Sequence, residues 1–158
     1  FPLENTKRLD TQLHSIEGAS AVAEFCSSSF AREHLHELAR LVATRTLHPN
    51  GKCAREWFLE GWQENLDATG GNVSIGHNLE AGWFLRTVGL QLGTEQFTPV
   101  ADSLLQFCLQ HGWDERRQAF IQNTTPDGKP VNTHLIYWTQ GEAMGAQSLW
   151  WRLTRYEF

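Results

Sequence analysis

The chain reads as an all-α protein built of helical hairpins, either an open solenoid or a closed α/α toroid. Three observations predict this. Helical segments that are apolar on almost every face alternate with plainly amphipathic ones. An H-x-x-E pair occurs twice on segments of the first kind, at His14–Glu17 and His77–Glu80, 63 positions apart. The segments between are turn-rich loops that leave room for only one short β-hairpin.

Taken in order, the first helix is expected over 8–26, where Leu9, Leu13, Ile16, Ala19, Ala23 and Phe25 recur at near-helical spacing. Ser27-Ser28-Ser29 breaks it and supplies an N-cap for a second helix over 30–47. In that helix Leu35, Leu38 and Val42 share a face with Ala31 and Ala39, while Glu33, His34, Glu37 and Arg40 face the other way. It is an outer helix, and His34 and His36 are read as solvated. His48-Pro49-Asn50-Gly51-Lys52 is turn chemistry, followed by a short extended stretch over 55–62. Gly70-Gly71 then leads to Ser74 and a helix over 75–92. Ile75, Leu79, Trp83, Phe84, Leu85, Val88 and Leu90 make it apolar nearly all round, so it is expected to be buried. Residues 95–110 are amphipathic again, with Pro99 tolerated near the first turn. A hairpin is expected from 119–123 to Val131, turning at Pro126-Asp127-Gly128-Lys129. The last helix is expected over 133–156.

A length of 158 residues suffices for one domain with a real core, and residues 1–158 are read as that single domain. The chain begins at Phe1 without an initiator Met, so it is expected to be part of a longer protein. The formal net charge is −5 and no basic stripe is present, which argues against nucleic acid. No run of 18 apolar residues and no signal peptide occur, which argues against a membrane partner. Cys26, Cys53 and Cys108 are odd in number and fit no metal spacing, so free thiols and a cytoplasmic setting are expected. Seven Trp among many Asn, Gln, Glu and His suit a sugar-facing cleft, although core packing is the commoner use of any single Trp.

His77 and Glu80 stand three apart, about 60° apart in helical projection, and so share one face. A titratable pair on an otherwise apolar helix either satisfies itself or works as an acid–base group. Di-iron carboxylate bundles use Glu-x-x-His with further glutamates. The order here is reversed, and no metal or other cofactor is expected. Glycoside hydrolysis would need two carboxylates across a bond, for which Glu80 with Glu17 or Glu142 are the candidates.

The residues also carry a family resemblance. Gly76-His77-Asn78-Leu79-Glu80-Ala81-Gly82-Trp83 resembles the G-H-x-x-E-x-x-W stretch of the N-acylglucosamine 2-epimerase family, which includes cellobiose 2-epimerases and mannose-type aldose–ketose isomerases. Leu13-His14-Ser15-Ile16-Glu17 is similar to the second half of its H-x-H-x-x-E helix. Tyr137-Trp138-Thr139-Gln140-Gly141-Glu142-Ala143-Met144 is similar to its W-W-x-Q-A-E-A-M helix, and Trp113-Asp114 with Asp127-Gly128-Lys129-Pro130-Val131 matches the intervening hairpin. The resemblance implies part of an (α/α)6 toroid whose cleft takes a small-molecule, open-chain sugar. It implies that His77 moves the proton at C2 through an enediolate while Glu80 orients or charge-stabilises it. His14 would bind substrate or open its ring, Trp83 and Trp138 would shape the pocket, and Glu17, Gln140 and Glu142 would complete the substrate-binding set.

Two departures bear on activity. Family members that epimerise carry a second His immediately before the W-W pair, where this chain has Ile136. His134 lies two residues earlier, and two helical steps would turn it away by about 200°. Gln12 replaces the first His of H-x-H. The chain is also about half the family's length, so an incomplete barrel lacking the N-terminal half is expected, with self-association as one way to cover its open faces. Single-base isomerisation is favoured over true 2-epimerisation, and the alternative is a non-catalytic sugar-binding or oligomerising remnant of the fold.

Overall fold

The computed structural model describes residues 6–26 and 28–154. Along the chain these form β1 (Thr6–Arg8), α1 (Leu9–Phe25), α2 (Ser29–Leu41), β2 (Trp57–Leu59), α3 (Leu66–Thr69), β3 (Val73–Ser74) and α4 (Ile75–Leu92). There follow α5 (Thr98–Gly112), β4 (Trp113–Asp114), β5 (Ala119–Phe120), β6 (Asn123–Thr124), β7 (Pro130–Asn132) and α6 (Tyr137–Thr154). Helices α1, α4 and α6 lie side by side as an inner row. Helix α2 packs behind α1, touching α4 as well, and α5 packs behind α4. This is the hairpin layering of an α/α toroid, with three inner and two outer helices among the described residues.

The central helix α4 forms as expected because its ends are well specified. Ser74 sits in extended backbone and its hydroxyl accepts the His77 N–H at 3.2 Å, a cap that contributes about 1 kcal/mol. Gly93 stops the helix at φ 72°, a left-handed conformation that few side chains adopt. Between these ends, Ile75, Leu79, Ala81, Phe84, Leu85 and Val88 are all buried. One cluster, with Leu13, Ile16, Leu35, Phe97 and Leu104, fills the space among α1, α2, α4 and α5. A second, with Leu79, Leu105, Phe107, Phe120 and Ala146, joins α4 to α5, α6 and the hairpin. Trp83 packs against both.

Elsewhere the elements differ in detail from expectation. The second helix stops at Leu41 and relaxes into a π-helical turn, Val42–Thr46, where the buried Thr46 hydroxyl donates to the Val42 carbonyl. His36 is not simply solvated, since its ring packs on Phe97 and its Nε2 is 3.0 Å from Gln96 Oε1. The extended stretch contributes only β2, whose inward residue is Phe58, wholly buried, while Leu59 faces out. The last helix starts at Tyr137 rather than 133, because the Asn132 side chain takes the His134 N–H at 3.0 Å and holds that segment in a turn. Its expected end at 156, like Ser27 in the serine break, lies outside the described residues.

The small sheets fasten loops to helices. Strand β1 pairs antiparallel with β2, with Arg8 opposite Trp57. Strands β3, β6 and β7 form a three-stranded sheet, and β4 pairs with β5. The cysteines carry no disulfide: Cys26 is exposed, and Cys53 and Cys108 are buried. Burial pushes the Cys53 thiol up to about 11, which keeps it protonated and unreactive. Among the described residues no helix is long and apolar enough to cross a membrane.

Candidate functional site

His77 lies in the first turn of α4, its side chain 19% exposed. Glycine at position 76 lets α6 come close: a Cβ built there would stand 2.2 and 2.4 Å from ring atoms of Trp138. That approach sets the Trp138 ring beside the imidazole, with centroids 4.9 Å apart and planes tilted by 32°. One inner helix therefore supplies the imidazole and the next supplies an aromatic wall.

The carboxylate hydrogen-bonded to His77 is Glu56, not the expected Glu80. Glu56 Oε2 lies 2.6 Å from His77 Nδ1. The backbone delivers it in three steps. Asn78, fully buried, clamps Ala54 by accepting its N–H at 2.7 Å and donating to its carbonyl at 3.1 Å. The Glu56 carbonyl accepts the N–H of Leu9, the first residue of α1, at 2.9 Å. Strand β2 then runs along β1. The loop after α2 is thereby pinned across the N-terminal ends of both inner helices.

Glu80 takes a different part. It is 6% exposed, and its carboxyl is pushed up to about 7, first by burial and then by the charge of Glu142. His77 and His14 pull the other way, and Glu17 adds to the rise, so those charges all act on it. Glu142 on α6 accepts a hydrogen bond from Trp83 Nε1 at 2.8 Å, tying α6 to α4. His77 itself is pulled down by burial, but the hydrogen bond and charge of Glu56, then Glu80 and Asp10, outweigh this and raise it.

Of the residues expected at the site, His77, Glu80, Trp83, Trp138 and Glu142 gather between α4 and α6. His14 and Glu17 form an exposed pair on α1, 3.3 Å apart. Gln140 lies on the hairpin side: its Oε1 accepts the Phe120 N–H at 2.9 Å and its Nε2 donates to the Phe120 carbonyl at 2.8 Å. It behaves as an extra strand partner. Ile136 precedes the first turn of α6 and is half-buried, and His134 is exposed on the non-helical segment before it. The helical argument that turned His134 away therefore does not apply.

Sequence reasoning missed Glu56 and Asp10. Their only signal is a carboxylate beside short apolar elements, without a periodic spacing to His77. Two grooves of about 610 and 640 Å³ adjoin residues expected at the site. One runs between α4 and α6 past Trp83, Thr87, Ser148 and Arg152, and the other is bounded by Trp113, Phe120, Gln140 and Met144. Among the described residues no cluster of three or more His, Cys, Asp or Glu is disposed to hold a metal ion.

Helical hairpins in an inner and an outer layer, with an imidazole and carboxylates on the inner row, have the architecture of part of an α/α toroid. The N-acylglucosamine 2-epimerase (GlcNAc 2-epimerase) family matches residues 2–156, and the chain belongs to that family. A crystal structure of D-mannose isomerase superposes with a TM-score of 0.87 at 17% identity, covering 96% of this chain and 41% of that one. Cellobiose 2-epimerase from Bacillus thermoamylovorans B4167 gives 0.82 at 16% identity, covering 94% of this chain and 37% of that one. A sugar epimerase from a ruminal bacterium gives 0.80 at 15%, covering 95% and 38%. At these identities the likeness is one of fold, and the chain spans about two fifths of the length of each. No curated protein sequence matches the chain.

Proposed function

We propose that this chain carries one side of a sugar isomerase or epimerase site, which moves a proton at C2 of an open-chain sugar. The observation that carries the reading is His77, held by a carboxylate at 2.6 Å and walled by Trp138, on the inner row of a toroid of this family. His77 takes the proton from C2, giving an enediolate, and returns a proton to C1 or C2. The base needs a pKa near the working pH, and in His77 burial lowers the imidazole while Glu56, Glu80 and Asp10 raise it by more. Glu80, protonated near neutrality, donates a hydrogen bond to the carbonyl oxygen as negative charge builds on it. Trp83 and Trp138 stack on the sugar's C–H faces, and His14, Glu17 and Glu142 meet its hydroxyls. Gln140 serves the substrate indirectly, by holding the hairpin on α6. With Ile136 at the position of a second histidine, one-base isomerisation is favoured over inversion at C2. The free thiols suit a cytoplasmic setting.

The test is solvent exchange. The chain is incubated in D2O with mannose, glucose, N-acetylglucosamine or cellobiose, and loss of the C2 proton signal is followed by NMR. His77→Ala is expected to slow exchange by about 10²–10⁴-fold. Sugar binding without exchange would instead support a non-catalytic sugar-binding module on the same scaffold, and no response to any sugar would sink the proposal.

The chain spans only part of its structural relatives, and apolar side chains stand open on its outermost helices. Val22 and Phe25 on α1 are 50% and 82% exposed, and Met144 and Trp151 on α6 are 68% and 47% exposed. We propose that these faces are covered in solution by further helices of the toroid or by a second copy. Sedimentation velocity of the isolated 158-residue chain is expected to show a concentration-dependent dimer or larger species, and a stable monomer would count against self-association.

A further inference from the structure

We propose that Glu56 is the positioning residue for His77: its carboxylate holds the ring proton on Nδ1 and leaves Nε2 as the nitrogen that exchanges protons with substrate. The sugar chemistry in this inference rests on the function proposed above, whereas the tautomer does not. A carboxylate can only accept, so a contact of 2.6 Å makes Nδ1 the donor. The other oxygen, Oε1, is buried and has no hydrogen-bond partner among the described residues. Among the described residues the Glu56 carboxylate therefore makes its hydrogen bond to His77 and to no other group. The approach of Glu56 is set by backbone, through the Asn78 clamp on Ala54 and the Leu9 bond, so the geometry does not depend on a flexible side chain finding its partner. Glu80, one turn along α4, makes no hydrogen bond to His77 and acts on it through charge.

The groups that face His77 come from each element packed around it. They are Glu56 on the loop, Glu80 on α4 and Asp10 on α1, the last paired with Arg8, with the uncharged Trp138 ring on α6. Glu56 is first among the carboxylates in both hydrogen bond and charge, so its removal should move His77 most.

The experiment is long-range ¹H–¹⁵N NMR of the imidazole rings in the whole chain, with the His77 signals assigned by their loss in His77→Gln. The wild type is expected to show one dominant Nδ1–H tautomer above its titration midpoint. Glu56→Gln should bring a mixture of tautomers and a lower midpoint, Glu56→Asp should restore part of both, and Glu80→Gln should leave the tautomer as it is. In the exchange assay Glu56→Gln should lower kcat about tenfold or more with KM little changed, and move the acidic limb, which reports deprotonation of His77, to lower pH. An unchanged tautomer and midpoint in Glu56→Gln, or a larger change in Glu80→Gln, would overturn the assignment. Should Glu56→Gln not fold, Glu56→Asp decides alone: its wild-type tautomer and midpoint despite a shorter reach would count against Glu56. Absence of exchange in the wild type would defeat the proposed function and still leave the NMR result to judge Glu56.

Discussion

Glu80→Gln is expected to stabilise the folded chain at pH 8 by up to about 3 kcal/mol and to change little at pH 4. The carboxyl is raised from 4.5 to about 7 in the folded state, and each pH unit of such a shift is worth about 1.36 kcal/mol. Below 4.5 both folded and unfolded chains hold the proton, so nothing is lost. Between 4.5 and about 7 the unfolded chain gives it up first, and stability falls as pH rises. Above that range the whole penalty is present. His77, also raised, contributes stability that disappears in the same direction as pH rises through its folded pKa. Glutamine keeps the shape of the protonated acid and cannot ionise, so the variant should retain only the part of the slope that comes from His77. Urea midpoints across this pH range measure it, and a gain of this size in Tm terms is roughly 6–12 °C for a chain of this length. A variant no more stable than wild type at pH 8 would show that Glu80 is ionised at no cost. A protein that keeps an acid at such expense on a buried helix gains a proton donor near neutral pH. That is what the proposed role at the sugar carbonyl requires.

How much of this was legible in the sequence depends on whether the cause is local. Helix α4 was readable to the residue because Ser74 caps it and Gly93 ends it. The alternation of inner and outer helices was readable because burial follows periodicity, as Ala31, Leu35 and Ala39 show on α2. The start of α6 was misplaced by four residues because an Asn132 side-chain turn outweighs the apolar Leu135 and Ile136 that follow. Glu80 acts on His77 through charge, one of its two expected roles, but the hydrogen-bond partner was not legible, for a similar reason. An i,i+3 spacing points to Glu80, and nothing in the spacing of Glu56, 21 residues back across a loop, points to it. Gln140 looked like a substrate ligand because it sits in a motif, yet its amide is spent on a β-strand edge that only the fold brings near. Helical propensity and burial pattern survive in one dimension, whereas contacts made by irregular loops do not.

Asn78→Leu should destabilise the fold by roughly 3–5 kcal/mol and separate Glu56 from His77 in the molecules that remain folded. Asn78 is fully buried, and its amide makes three bonds to backbone: it accepts from Ala54 N–H and donates to the carbonyls of Ala54 and Ser74. Leucine has a similar volume, so the loss is one of hydrogen bonds rather than packing. Ala54 is 1% exposed, so its N–H and C=O would be left dry and unpaired, at about 1–3 kcal/mol each. The carbonyl of Ser74, at the N-cap position that already accepts the first intrahelical bond, loses less. Such a penalty is most easily relieved by lifting the loop that carries Ala54 and Glu56, which lets water reach both groups. Hydrogen exchange at the Ala54 amide is therefore expected to quicken more than exchange in the core of α4, and the His77 tautomer should lose its preference as in Glu56→Gln. Uniform loss of protection across α4 and α5 would mean instead that Asn78 supports the whole core. The local outcome would make Asn78, which stands next to His77 and bonds to the backbone of Ala54 and Ser74, the residue through which the fold determines how that imidazole is protonated.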